Sequence, residues 1–269
     1  MLHERTPSGV RFVLGREFGA KPRIWRGAVS RDPAKLRAPP SDAIPMPVLD
    51  SPLLQATLRD ELRAAWIHLR ATCGSDPLYG FGVYTTSSAS YLMVTAFSER
   101  GLDQVVQRYL RNEYGKGQDV ALLRRALRWS PADSPLHAVG SDLLPGANKI
   151  VADLDFEGRW QLDEDDEDED DEDFDDEWVD PEVVEVFQVL SQILRELDQE
   201  GLFGTGAERE RLVLSIWEGD QSNQSRYDNA RALNPPAVTR RFGEEMNDAV
   251  RVSYAMLHPD LDPPVDDFE

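Results

Sequence analysis

The chain has 269 residues, of which 41% are hydrophobic, so it is long and apolar enough to bury a sizeable core. Its formal net charge of −21 argues against non-specific binding to nucleic acid or to anionic lipid. Cys73 is the only cysteine, which excludes an intramolecular disulfide and fits a reducing cytoplasm. No apolar stretch approaches the ~18 residues that a membrane span needs.

The two ends of the chain differ in composition from its middle. Residues 1–45 are rich in arginine and show no sustained apolar period, so we expect a disordered basic tail or an upstream start codon assigned in error. Met46 is a plausible true start, because helical periodicity begins directly after it. Residues 259–269 are acidic and rich in proline, and we expect a loose tail there.

The segment after Met46 predicts a helix, a hairpin and a second helix. Ser51 is a candidate cap, and Pro52 is the first position of a helix whose apolar side chains recur every three or four residues. Gly74 and Pro77 end that helix. The runs "LYGFGVYTT" and "SYLMVTAF" predict a β-hairpin, and "RGLDQVVQRYLRNEY" returns to a helical period.

The centre of the chain gives weaker patterns. The run "VALLRRALRW" fits a strand or a helix, "WSPADSPLHAVGSDLLPG" fits a loop with one short helix, and "KIVADLDF" resembles a strand. Asp180 then caps a helix that starts at Pro181. The run "RLVLSIW" predicts a strand, and Asn234 with Pro235 opens a last helix.

This order of elements predicts a single α+β domain over residues 46–258. Its sheet is expected to be antiparallel or mixed, with helices packed on one side. A disordered acidic loop over residues 161–179 interrupts the domain.

The interruption contains the run "DEDDEDEDDEDFDDE" at residues 163–177, with fourteen carboxylates and one phenylalanine. Like charges repel, and almost no apolar side chain is available to bury, so we expect disorder. One interpretation is a solvated linker, because closure entropy grows slowly with loop length. The other is a polyanion that binds a basic partner, with aromatic anchors at its downstream end. Its candidate partner-binding residues are Asp163, Glu164, Asp165, Asp166, Glu167, Asp168, Phe174 and Trp178.

A calcium loop is a further hypothesis for the upstream part of this region. Oxygen ligands at alternate positions, followed by a bidentate glutamate, match Asp153, Asp155, Glu157 and Glu164. Glutamate replaces the usual Asp or Asn at the fifth position, and Trp160 stands where a small aliphatic residue is expected. An acidic sequence also matches this motif by chance, and weak, non-specific divalent binding by the whole run is the simpler alternative.

The sequence contains no recognisable catalytic or cofactor-binding motif. Its four histidines are isolated from one another, without the spaced partner that a zinc site needs. Closely spaced glycines in "YGKGQD" and "LFGTG" do not continue into a phosphate-binding loop. We therefore expect no cofactor.

The alternative is an enzyme whose site is assembled from residues far apart in sequence, such as His137, Asp142 and Asp220.

Four stretches together resemble a bacterial domain-of-unknown-function family, the one numbered 4303. They are "YGFGVYTT", "RWSPADSPLH", "EGLFG" ahead of "RLVLSIWEGD", and "ALNPPAVTRRF", and they span roughly residues 50–245. The family usually has a second tryptophan soon after Trp-Ser-Pro. This chain lacks that tryptophan, so a role for it does not transfer.

The resemblance implies no established enzymatic activity. Similar domains are encountered near polymorphic-toxin loci, which suggests immunity-type proteins, and many secreted toxins are basic. The leading prediction is therefore a non-catalytic cytoplasmic binding protein whose partner is a basic protein. A structural domain with a solubilising acidic loop is the remaining alternative.

Overall fold

The computed structural model describes residues 48–112, 115–154, 180–219, 221–258 and 260–261. The whole acidic insert, residues 1–47 and most of the C-terminal tail lie outside these ranges, so the predictions of disorder made for them remain predictions. The described elements are α1 (Ser51–Cys73), β1 (Leu78–Thr85), β2 (Met93–Ser98), α2 (Glu99–Leu110), α3 (Val120–Leu127), α4 (Pro145–Asp153), α5 (Pro181–Gln199), α6 (Ala207–Arg211), β3 (Val213–Glu218), α7 (Asn223–Leu233) and α8 (Pro236–Leu257). Two short 3₁₀ turns, Pro131–Asp133 and Ser141–Leu143, lie between α3 and α4.

The three described strands form one mixed sheet in the order β2-β1-β3. The hairpin strands β1 and β2 are antiparallel, and β3 pairs with β1 in parallel. The parallel pairing requires a long crossover, and its described part contains β2 and five helices. The predicted α+β domain with an antiparallel or mixed sheet is confirmed, and the sheet is mixed.

Helices cover both faces of this sheet. On what we call the first face, Phe81, Val94 and Ile216 join a core with the buried sides of α1, α4 and α5. On the second face, Phe97 and Trp217 join a separate core with side chains of α2, α3 and α8. The prediction of helices on one side was therefore wrong. The central strand is buried along nearly its whole length, and a strand buried on both faces needs cover on both.

Capping residues fix where the two long helices of the first face begin. The N-cap of α1 is Asp50, whose side chain accepts from the Leu53 amide at 3.0 Å, so the cap lies one residue before the predicted Ser51. The N-cap of α5 is Asp180, as predicted, and it accepts from the Glu182 amide at 2.8 Å. Both caps satisfy an amide that has no partner inside its helix.

The centre of the chain departs from the sequence-based expectation. The ambiguous run over residues 120–129 forms α3, and the predicted strand "KIVADLDF" lies partly in α4, with its last residues outside the described ranges. Pro145 starts α4, and its buried residues Ala147 and Val151 lie four positions apart, as on one face of a helix. Neither α6 nor α7 was predicted, because both are short and mostly hydrophilic.

Two asparagine side chains form hydrogen bonds with the backbone at the two outer edges of the sheet. Beside β3, Asn234 accepts from the Leu214 amide at 2.9 Å and donates to the Leu214 carbonyl at 2.7 Å. Beside β2, Asn148 accepts from the Leu92 amide at 2.8 Å and donates to the Leu92 carbonyl at 2.9 Å. Each asparagine thus replaces the backbone of a missing neighbouring strand.

The same asparagines also tie each edge to a helix. The Asn234 side chain donates to the Ala230 carbonyl of α7 at 2.7 Å, and Asn148 donates to the Leu144 carbonyl at 3.0 Å. Further along β2, the Ala138 amide donates to the Val94 carbonyl at 2.9 Å. Exposed strand edges invite pairing with another chain, and these contacts cover them.

Replacing Asn234 with alanine is expected to lower the free energy of unfolding by roughly 2–4 kcal/mol, because it leaves a buried amide and two carbonyls without partners. Asn148→Ala is expected to have a similar effect. Urea unfolding followed by circular dichroism measures both. The matched control is Gln224→Ala on the exposed side of α7, which should change stability by less than ~0.5 kcal/mol. Equal losses in Asn234→Ala and the control would contradict the proposed role.

Candidate functional site

Five side chains on the second face form what we call the polar cluster: Tyr84, Thr95, His137, Trp217 and Arg226. It lies towards the end of the sheet where the parallel strands β1 and β3 both terminate, at Thr85 and Glu218. In parallel sheets, ligands bind preferentially at the carboxyl ends of the strands. The cluster therefore occupies a common position for a binding site.

Strand register sets the neighbours within the polar cluster. Tyr84 lies beside Trp217 on β3, and Gly82 lies between Thr95 and Ser215. A Cβ at Gly82 would come within 1.7 Å of the Ser215 carbonyl oxygen, so only glycine allows β1 and β3 to approach this closely. As a result, no side chain rises between the buried hydroxyls of Thr95 and Ser215.

His137 reaches the cluster from the loop between α3 and α4. Its Nδ1 lies 3.4 Å from the Thr95 hydroxyl, and its ring meets Tyr84 edge-on at a centroid distance of 4.8 Å. Burial lowers the pKa of His137 and favours the neutral imidazole. The next residue, Ala138, has a φ of 63°, a left-handed conformation that is strained for alanine. Such strain concentrates at functional sites.

Trp217 contributes a buried donor. The residue is fully buried, and its indole packs against Phe97, Trp129 and Phe242, with centroids 5.3 to 6.1 Å away. Within the described part of the chain, its Nε1–H has no hydrogen-bond partner. A buried donor without an acceptor costs free energy and is rare in native proteins.

Arg226, the fourth residue of α7, contributes a second donor of the same kind. Its Nε atom is buried and has no hydrogen-bond partner among the described residues. Burial lowers the pKa of the Arg226 guanidinium, and the nearby Tyr84 hydroxyl opposes this shift. By contrast, the buried Arg209 donates to Asp198 at 2.5 Å and to two backbone carbonyls. Arg226 is thus a largely buried cation for which the described residues supply no carboxylate or carbonyl acceptor like those of Arg209.

The polar cluster contains hydrogen-bond donors that are suited to binding. A general base needs a group that orients it, and the described neighbours of His137 are a hydroxyl and a phenol ring. Trp217 and Arg226 offer N–H donors without described acceptors. Together these groups can hold an acceptor atom, and an anion in particular, because Arg226 is positively charged.

The sequence-predicted partner and metal residues fall mostly outside the described ranges. This holds for residues 155–179, which include Asp155, Glu157 and Glu164 of the calcium-loop pattern as well as every candidate partner-binding residue. Asp153 is the exception: it is the last residue of α4, and Lys149 pairs with it at 2.5 Å. In the described ranges, no three His, Cys, Asp or Glu residues are grouped so as to hold a metal ion. The calcium loop stays a prediction.

The alternative prediction of an enzyme site built from His137, Asp142 and Asp220 is tested only in part, because the structure describes two of these three residues. His137 lies in the polar cluster, whereas Asp142 is an exposed residue of the second 3₁₀ turn. No hydrogen bond joins Asp142 to His137 in the described part, and Asp220 lies outside it. The structure therefore brings His137, but not Asp142, to the candidate site.

The fold and the site define the class of this protein: an α+β domain with a three-stranded mixed sheet, helices on both faces and a polar cluster at one end. Within the described ranges, the helices are too short or too polar to cross a membrane. The chain belongs to the family described as Domain of unknown function (DUF4303), whose sequence model matches residues 58–235. This confirms the resemblance. No curated protein and no solved structure gave a match.

The stretches that carried the resemblance contain most of the polar cluster. Tyr84 lies in "YGFGVYTT", His137 ends "RWSPADSPLH", and Trp217 lies in "RLVLSIWEGD". Only the fold shows that these three positions converge. Arg226 was missed altogether, because it lies in the hydrophilic helix α7, where an arginine normally faces solvent.

Substituting His137 tests whether it is buried in its neutral form. The unfolded chain binds a proton with the ordinary histidine pKa of about 6.5, whereas the folded chain binds it more weakly. A neutral His137 thus contributes stability above about pH 6.5, and that contribution is lost as pH falls through the lower folded pKa. The free energy of unfolding should therefore drop towards acid pH less steeply in His137→Gln than in the native protein.

Urea titrations between about pH 7.5 and 5.5 measure the free energy of unfolding of the native protein and of His137→Gln. The difference between their slopes with pH reports on His137, because all other titrating groups are shared. His68→Gln replaces an exposed histidine of α1 and serves as the control. If His137→Gln and the native protein gave parallel curves, His137 would not be held neutral by the fold.

Proposed function

We propose that this protein is a non-catalytic cytoplasmic binding protein of the immunity type, whose partner is a basic protein held by the acidic insert. One observation carries the proposal: most arginines of the described domain already form ion pairs with its own carboxylates. Few of its cations remain to neutralise the carboxylates of residues 163–177.

The ion pairs are distributed over the whole domain. Arg128 shows the pattern, with Glu99 at 3.0 Å and Glu245 at 2.9 Å, while it stacks on the Tyr79 ring at 4.1 Å. The other arginines that pair with a described carboxylate are Arg59, Arg63, Arg70, Arg100, Arg108, Arg124, Arg125, Arg209, Arg231 and Arg241. These arginines are already engaged in ion pairs within the domain.

The charge balance supports an external counter-ion. The fourteen carboxylates of the run account for two thirds of the net charge of −21, and the rest of the chain carries −7. The remainder of the protein is therefore itself anionic. An external basic protein supplies complementary charge at high local density.

The described elements that flank the insert anchor it to the first face. Leu154, after α4, and Asp180, before α5, are both buried, and α4 and α5 both pack against α1. In addition, the Leu49 amide ahead of α1 donates to Glu182 of α5 at 3.2 Å. A dense run of carboxylates favours fast, electrostatically steered association with a basic partner.

Neutralising the insert is expected to abolish capture of the basic partner. In the test variant, every carboxylate from Asp163 to Asp173 is replaced by its amide, so chain length and side-chain shape are kept. The native chain and the variant are immobilised and exposed to native lysate, and bound proteins are identified by mass spectrometry. The native chain should retain basic proteins that are released between about 50 and 500 mM salt, because salt screens exposed charges.

The matched control exchanges each aspartate for glutamate, and the reverse, over the same residues. This variant keeps the charge and should retain the same basic proteins as the native chain. If the amide variant retained them equally well, the insert would be a linker and the proposed function would fail.

A further inference from the structure

We propose that the polar cluster is a carboxylate-binding site, in which Trp217 Nε1–H and Arg226 Nε–H donate to one ligand carboxylate beside Tyr84. The site lies on the second face of the sheet, whereas the acidic insert is anchored on the first. The inference is therefore independent of the proposed function.

Two buried donors without a described partner lie on adjacent elements, Trp217 on β3 and Arg226 on α7. Trp217 Nε1 and Arg226 Nε are both buried and lack an acceptor in the described part of the chain. Trp217 is the cross-strand neighbour of Tyr84, and Arg226 lies within electrostatic reach of the Tyr84 hydroxyl. Native proteins rarely leave such N–H groups unsatisfied, so a bound ligand that supplies oxygen atoms accounts for both.

The charge of the cluster selects the class of ligand. Arg226 is its one cation among the described residues, since burial keeps His137 neutral. A single guanidinium matches a singly charged anion, and its planar fork fits the two oxygens of a carboxylate. A phosphate dianion would leave one negative charge uncompensated in a largely buried site.

The nearby acid of β3 does not occupy the site. Glu218 follows Trp217 in an extended strand, so its side chain points to the opposite face of the sheet. Its carboxylate accepts from Gln221 at 2.9 Å, and burial raises the pKa of Glu218 while a hydrogen bond with Asn229 opposes that shift. Glu218 thus competes little for Arg226.

Aromatic rings border the site and suit a ligand with an apolar body. Tyr84 and His137 meet edge-on, and Trp217 stacks on Trp129 with an interplanar angle of 18°. Most ligand sites combine apolar walls with a few polar groups that fix orientation. The carboxylate could belong to a small organic acid or to the C-terminus of a peptide, and both present the same chemistry to Arg226.

Nuclear magnetic resonance of the full chain tests the proposal with acetate as the probe. The indole N–H of Trp217 is assigned as the signal lost in Trp217→Phe, and the Arg226 Nε–H as the one lost in Arg226→Lys. Titration with sodium acetate, against sodium chloride at equal ionic strength, should shift both signals along one binding curve. Shifts in only one signal, or equal shifts with chloride, would overturn the proposal.

Two arginine variants test whether the charge of Arg226 is needed for acetate binding. Arg226→Gln should weaken acetate binding by about tenfold or more, since it removes a charge-assisted hydrogen bond. Arg195→Gln removes the same charge from an exposed position of α5 and should leave binding unchanged. Thermal unfolding checks that each variant is folded. If Arg226→Gln does not fold, the two-signal titration of the native chain decides alone.

The source of the carboxylate is resolved with trialanine carrying either a free or an amidated C-terminus. Tighter binding of the free form than of acetate assigns the site to a chain end, and binding no tighter than acetate assigns it to a small acid. The amidated form should not bind. Binding of the amidated form, or binding of phosphate as strong as that of acetate, would contradict a carboxylate site.

Discussion

The fold depends on how a sheet of only three strands is closed at its edges. One strand is central, so two of the three have an outer edge with unpaired amides and carbonyls. Asn148 binds both backbone groups of Leu92, directly before β2, and Asn234 binds both of Leu214 in β3, and each asparagine joins its edge to a helix. Because β2 and β3 are closed in this way, the sheet can remain small while helices cover both of its faces.

This central sheet also separates two electrostatic environments. The first face carries the helices that anchor the acidic insert, and the domain's arginines are largely paired with its own carboxylates. On the second face, Arg226 stands apart from that network as a largely buried cation. One chain thus combines an anionic run in its sequence with a buried cationic position in its fold, and the two suit ligands of opposite charge.

Sequence patterns predicted the elements whose signals are local. The apolar period of α1, the hairpin of β1 and β2, the Asp180 cap of α5 and the strand β3 all follow from neighbouring residues. The pattern failed at α4, where a short apolar alternation resembled a strand, and at α7, where few side chains are buried. The polar cluster could be predicted only in part. Tyr84, His137 and Trp217 lie in recognisable stretches, but their convergence depends on long-range strand register, and nothing local marks Arg226 as buried.

The parallel pairing of β1 with β3 also orders the events of folding. The hairpin of β1 and β2 closes over a short turn, whereas β3 reaches β1 only after more than a hundred further residues, the acidic insert among them, have been synthesised. Contacts of such long range are slow to form, because closure entropy is lost before they stabilise the chain. The hairpin edge that finally receives β3 is therefore open while the chain is incomplete. Fourteen like charges lie in the stretch of sequence that joins the hairpin to β3, and like charges repel those of neighbouring chains.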